Sequence, residues 1–219
     1  MNLLVDLPNA LFYISVIFTV PVFVWAVYTA GWRKLMAVSA RQHLWYGAII
    51  GLGLSWAFMG FSVLGVFRLH PMLVTILTLM FGFRLAAIAG AAALLVSWLC
   101  GTGTLQTLPF TWLVSVLLPA AVTTCLLYWV SRTGIQNLFL YTLGVGFVGG
   151  LLTPVVIALG TLALFLLFQP FYLPLYTDNI YLLFLFVFPE GFLNGMMTSA
   201  FAVMTPHLLK TYDDDFYLK

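Results

Sequence analysis

The chain has 219 residues, 63% of them hydrophobic and only 6% charged, with a formal net charge of +2 at neutral pH. A soluble domain of this size needs about a quarter of its residues charged to cover its surface, so a water-soluble globule is excluded. The eight Lys and Arg residues stand between apolar runs and form no basic stripe, which argues against a nucleic-acid partner.

The first apolar run, about Ala10 to Gly31, follows Asp6 with no basic residue before it, the wrong flank for a cleaved secretory signal. It is expected as a retained helix ending at Trp32-Arg33-Lys34. Arg41-Gln42-His43 leads into a second span, Leu44 to Val66, and Arg68 and His70 mark the opposite surface.

Residues 71–100 would make one helix of about 45 Å, too long for a hydrocarbon core of about 30 Å. Gly82-Phe83-Arg84 near the middle predicts a hairpin of two short helices, 71–82 and 85–100. A loop from Gly101 to Pro109 precedes a span from Phe110 to Val130, and Ser131 to Asn137 forms the next loop. The run from Leu138 to Phe168 is over-long and holds Gly144, Gly146, Gly149, Gly150 and Pro154, which predicts a kink. An aromatic loop, Phe171 to Asn179, precedes a last run that ends at Thr205-Pro206-His207 and a polar tail.

No stretch is long enough for an interdomain linker, so residues 1–219 read as a single polytopic transmembrane domain. Charge placement decides between six and seven spans. With seven and the N-terminus outside, Arg33, Lys34, Arg41, Arg84, Arg132, Lys210 and Lys219 face the cytoplasm and only Arg68 faces out. With six, Arg132, Lys210 and Lys219 move outside, so the positive-inside preference selects an all-α seven-helix bundle with a cytoplasmic C-terminus. The aromatic belts agree: Trp32, Trp45, Tyr46, Trp129 and Tyr141 fall near the inner interface, and Trp98, Trp112, Tyr172, Tyr176 and Tyr181 near the outer one.

Small residues four apart let helices approach closely in lipid. Ala26/Ala30, Gly47/Gly51, Ala86/Gly90, Gly146/Gly150 and Gly191/Gly195 are therefore expected as packing faces, within this bundle or against a partner membrane subunit. Cys100 and Cys125 fall at depths too different for a disulfide and are expected as two buried thiols.

Glu190 is the only carboxylate inside an apolar run, and a charge there is costly enough to mark a functional candidate. Asn194, four residues on, shares its helical face. Glu190 lies near the bilayer midplane if the last helix starts near Ile180, or at the outer end if Pro189 is the first helical residue; the plainer role is a cap or a bond to neighbouring backbone. His70, at the outer mouth just before Pro71, could bind an entering cation or sit in water. His43 and His207 are flanked by interfacial polar residues. Met72, Met196 and Met197 could offer soft ligands to Cu(I) but are also ordinary core fillers.

The run His70-Pro-Met-Leu-Val-Thr-Ile-Leu-Thr-Leu-Met-Phe-Gly82-Phe-Arg84, an apolar helix, Gly101-Thr-Gly-Thr and the segment Pro189-Glu190-Gly-Phe-Leu-Asn194-Gly-Met-Met-Thr198 resemble the cobalt/nickel permeases of the energy-coupling-factor type (the CbiM/NikM family). The resemblance covers about a third of the chain. It implies a membrane-embedded component that captures a divalent transition metal from outside, with the metal held by the N-terminal amine, a His at position two and a His at the position of His70. Only His70 carries over, because Asn2 stands at position two. The implied setting is a bacterial inner membrane, with a transition-metal cation as substrate, no permanently bound cofactor, and Arg84 and Asn194 as supporting polar groups.

The chain has no phosphate-binding loop, so any ATP-driven step needs a separate cytoplasmic ATPase and a transmembrane coupling subunit. Arg33, Lys34, Arg41, Arg84 and the tail Asp213-Asp214-Asp215 could dock one, although the tail could equally be a solvated terminus. One Glu and one His do not make an intramembrane enzyme. A scaffold or assembly subunit would need only the packing pairs and a lateral seam.

Overall fold

The computed structural model describes residues 2–3, 7–63 and 67–217. Met1, Asp6, Val66 and Lys219, used above for topology, lie outside the described residues, as do the side chains of Asp214 and Asp215. Among the described residues four helical segments are long and apolar enough to cross a membrane: Asn9–Thr29, Leu108–Thr133, Leu140–Phe168 and Tyr181–Met204. The chain is thus an all-α protein of the membrane type.

Helix α1 (Asn9–Thr29) has 21 residues, about 31 Å, and turns Leu11, Ser15, Thr19 and Ala26 inward while its other faces stay apolar and exposed. The short α2 (Trp32–Met36) leads into α3 (Ser39–Phe58). The span expected to reach Val66 stops at Phe58, and the chain turns into strands β2 (Phe61–Val63) and β3 (Phe67–Leu69). With β1 (Asn2–Leu3) they form an antiparallel sheet in the order β1-β3-β2. Gly60 makes this possible, since a Cβ there would come within 2.6 Å of Arg68 Nε.

The break in 71–100 falls at Gly82, between α4 (Val74–Phe81) and α5 (Phe83–Leu99). Gly82 has φ 77° and ψ 162°, a region essentially closed to residues with a Cβ. Helix α4 has eight residues, about 12 Å, every one of them buried. It covers only part of a membrane, and the loop before it descends into the bundle to meet it.

The next crossing is continuous, running as α6 (Leu108–Trp112), a π-helical turn (Leu113–Leu117) and α7 (Leu118–Thr133). The widened turn sits just before Pro119, whose ring cannot fit a regular α-helical turn. The over-long run likewise carries a π-helical stretch (Leu140–Phe147) ahead of α8 (Val148–Phe168), which contains Pro154. The expected aromatic loop is instead a 3-10 turn (Pro170–Tyr172) and α9 (Leu173–Asp178), because Pro170 and Pro174 start helical turns. Helix α10 (Tyr181–Met204) passes through Pro189 unbroken, so Glu190 lies well inside the helix.

Contacts between segments sort the helix ends onto two faces. Arg68 donates to Ala57 O beside the sheet, and Gln106 Nε2 reaches Leu7 O at the start of α1. At the other face Arg84 donates to Thr29 O, Arg41 to His207 O, and the Lys210 N–H to Met80 O. Arg33, Lys34, Arg41, Arg84, Arg132 and Lys210 therefore gather on this second face, away from Arg68. The tail packs on the bundle through its main chain and tyrosines, while Asp213 is exposed. Thr211 bonds Leu79 O through both its N–H and its hydroxyl, and Tyr212 and Tyr217 bury their rings on Tyr141, with α11 (Asp214–Tyr217) closing the chain.

Two packing pairs meet each other: a Cβ on Gly150 would lie 2.8 Å from Glu190 O, and one on Gly195 would lie 2.9 Å from Phe147 Cβ. Gly146 packs on Thr198, Gly191 on Leu151, Ala86 is buried and Gly90 abuts Val116. Ala26 is buried and Ala30 is half-buried. Gly47 and Gly51 pack on nothing within 4 Å, so they are not a seam of this bundle; Gly53 is the α3 glycine that meets α5, against Val96. Cys100 and Cys125 are free and exposed, a correction to the expected burial, because their helix faces point outward. Trp45, Trp112, Tyr141 and Tyr176 are buried within the bundle and not part of an interfacial belt, since each turns its polar atom to an internal acceptor: Leu85 O, Ala87 O, Thr211 Oγ1 and Ala158 O.

Candidate functional site

The four residues His70-Pro71-Met72-Leu73 connect β3 to α4, and their main chain is held from both sides. Trp56, near the end of α3, donates from Nε1 to Pro71 O at 2.8 Å and lays its ring 5.2 Å from that of His70. From α10, Glu190 Oε2 accepts the Met72 N–H at 2.9 Å and Oε1 accepts the Leu73 N–H at 2.5 Å. Asn194 Oδ1 accepts the Ile76 N–H at 2.9 Å. Its amide donates to Glu190 O at 2.7 Å and to Glu190 Oε1 at 2.9 Å.

These bonds explain how α4 can begin inside the bundle. The first turn of any helix leaves N–H groups without intrahelical partners, and α4 has no side-chain cap of its own. Glu190 and Asn194 cap it from another helix. A carboxylate at a helix N-terminus is favoured by both the hydrogen bonds and the helix dipole, which offsets the cost of its burial at 2% exposure.

The clamp holds Leu73 at φ 53°, the one positive φ outside glycine among the described residues. A branched side chain in the left-handed region costs about 1–2 kcal/mol. Such strain persists only where the surroundings over-determine it, and the two bonds to Glu190 do so here.

His70 is 1% exposed, which corrects its expected place at the surface and removes the alternative of an imidazole sitting in water, because the chain after β3 tucks it against the Trp56 ring. Its Nδ1 lies 3.2 Å from Pro71 O. One layer further in, Thr75 Oγ1 is 3.2 Å from both Thr123 Oγ1 and Thr153 Oγ1, a buried hydroxyl triad joining α4, α7 and α8. The structure thus brings His70, Glu190 and Asn194 to one short loop. It does not bring Arg84 there: Arg84 lies on the second face, stacked over Trp25. His43 and His207 are exposed on that face, and Met196 is half-exposed while Met72 is buried on the loop.

Glu190 is bonded through both oxygens, so it serves here as an anchor, and its free ligand capacity is small. Among the described residues no three His, Cys, Asp or Glu side chains converge to hold a metal ion. Sequence reasoning missed Trp56, Leu73 and the threonine triad. Trp56 and the threonines sit in apolar runs without a spacing that singles them out, and a left-handed Leu has no sequence signature. Comparison with protein-family models, with curated proteins and with solved structures gives no match.

Proposed function

We propose that this chain is the substrate-capture component of a transition-metal uptake system in a bacterial inner membrane, crossing seven times with its N-terminus outside and energised by separate subunits. It is not an enzyme in this reading. The observation that carries it is His70, an imidazole buried on a loop whose main chain is clamped by Glu190 and Asn194. A preorganised, dehydrated nitrogen donor suits a late first-row divalent ion better than an alkaline-earth ion. Glu190 and Asn194 act as positioning residues that aim the His70 loop, and Arg84 belongs to the cytoplasmic face. Strand β1, whose Asn2 stands opposite Arg68, runs beside β3, the strand that leads into His70, and is the segment from which further donors would come. The six basic residues of the second face support its being cytoplasmic.

The test is metal content by elemental mass spectrometry on detergent-purified protein after incubation with an equimolar mixture of Co, Ni, Cu and Zn, wild type beside His70→Ala. One metal retained near 1:1 and lost in the variant supports capture. No retained metal, or retention indifferent to the substitution, overturns it. The second reading, a non-transporting scaffold or assembly subunit, is favoured by the lack of three converging metal-binding side chains among the described residues.

A further inference from the structure

The geometry points to a binding site for one anionic phospholipid, its phosphate between Lys34 and Lys210 and an acyl chain in the groove between α3, α4 and α10. Two adjoining features carry this.

The first is a cleft on the second face, lined by Gly31, Lys34, Arg41, Met80, Phe81 and Lys210 among others. The Lys210 ammonium lies 4.0 Å from where a Cβ would stand on Gly31 and 3.0 Å from where one would stand on Gly82. Two glycines thus clear its place. Partial burial first, then Lys34, Arg84 and Arg41, push its affinity for a proton down, and among the described side chains no carboxylate is one of the groups acting on it. Arg41 and Arg84 already donate to His207 O and Thr29 O, but among the described residues neither the Lys34 nor the Lys210 ammonium has a hydrogen bond or ion pair, although both main-chain N–H groups are bonded. Like charges gathered without a counter-charge among the described side chains call for an anion.

The second feature is a groove of about 290 Å³ whose lining includes Leu44, Gly51, Ile76, Met80, Met197 and Phe201. Met80 lines both cleft and groove. On α3, Arg41 in the cleft is followed on one face by Leu44, Ala48 and Ser55 in the groove, so the helix carries a cation at one end and an apolar trough along its length. Gly47 and Gly51 hold the trough open, since a Cβ on either meets nothing within 4 Å. A basic end continuous with a lateral apolar groove matches a phospholipid. A free anion would leave the groove unfilled, and a wholly apolar peptide helix would leave the lysines unpaired. Each basic residue near a bilayer surface strengthens attraction to anionic lipid about fivefold.

The full chain in nanodiscs of phosphatidylglycerol and phosphatidylcholine with matched chains, released into detergent for native mass spectrometry, provides the test. Phosphatidylglycerol is expected to be retained one per chain over phosphatidylcholine. The double substitution Lys34→Ala with Lys210→Ala is expected to cut that retention about 25-fold. Gly51→Leu, which fills the trough without touching the lysines, should also release the lipid. Equal retention of both lipids, or retention indifferent to the lysines or to Gly51→Leu, overturns the site. Displacement by inorganic phosphate with no effect of Gly51→Leu would make it a pocket for a soluble anion, and it too overturns the lipid assignment. Monodispersity and melting temperature check folding, and Lys210→Gln alone carries the test if the double variant does not fold. His70 takes no part and of its loop only Leu73 lines the groove, so substitutions at Lys34, Lys210 and Gly51 leave the His70 side chain untouched and the outcome is read separately from the metal experiment.

Discussion

Glu190 accepts the backbone N–H of Leu73, a residue 117 positions earlier, at 2.5 Å. With the neighbouring bond from Met72, a single carboxylate on α10 determines where α4 begins. Glu190→Gln turns one acceptor into a donor facing these N–H groups and is expected to lower stability by about 1.5–3 kcal/mol. Hydrogen exchange at residues 72–76 should rise selectively. Unchanged exchange there would refute the clamp.

Gly150 and Gly51 make opposite predictions for the same substitution. Gly150→Ala forces a methyl against Glu190 O and the Gly191 backbone and should destabilise by about 1–3 kcal/mol. Gly51→Ala enters open space and should be neutral or stabilising by up to about 1 kcal/mol, through helix propensity. Melting temperatures in one detergent compare them directly.

Gly82→Ala places a Cβ in a backbone region that only glycine occupies readily, 3.0 Å from the Lys210 ammonium. A loss of about 1–3 kcal/mol is expected from the backbone alone. Gly101→Ala, also at positive φ but with nothing within 4 Å, separates backbone strain from the clash when the two melting temperatures are compared.

Lys210 has its pKa held below the ordinary 10.5 by partial burial first, then by Lys34, Arg84 and Arg41. The folded chain thus releases this proton before the unfolded chain does. Between the lowered value and 10.5 the unfolded state binds more protons, so this group's contribution to stability rises with pH across that window and is flat beyond it. Lys210→Met removes the effect. The melting-temperature advantage of the variant over wild type should be largest near neutral pH and shrink toward pH 11; a constant difference would show that Lys210 does not feel its neighbours.

Cys100 follows α5 on the face of the sheet, whereas Cys125 lies midway along α7, and both are exposed. Only a thiol in contact with water ionises readily. A membrane-impermeant maleimide added outside whole cells should label Cys100 and spare Cys125. Labelling of Cys100 only after the cells are opened would reverse the proposed orientation.

The membrane class, the break at Gly82 and the shared face of Glu190 and Asn194 were legible because each rests on local rules of hydropathy, chain length and helical period. The failures arise where distant partners decide. A β-rich stretch after Phe58 reads as apolar helix until β1, about 65 residues before its partner β3, is seen to pair with it. Trp45, Trp112, Tyr141 and Tyr176 look like interfacial anchors until their acceptors on other segments are known. His70 reads as exposed because nothing local predicts the Trp56 ring over it.

The capping of α4 from α10 has a consequence for biogenesis. Residues 70–76 leave the ribosome long before Glu190 and Asn194, so their N–H groups must wait in the translocon or the lipid without their acceptors. A chain stalled anywhere before α10 therefore carries an unfinished His70 loop and exposed polar backbone, which distinguishes a nascent copy from a completed one and gives membrane proteases a point of attack until the last long helix is in place.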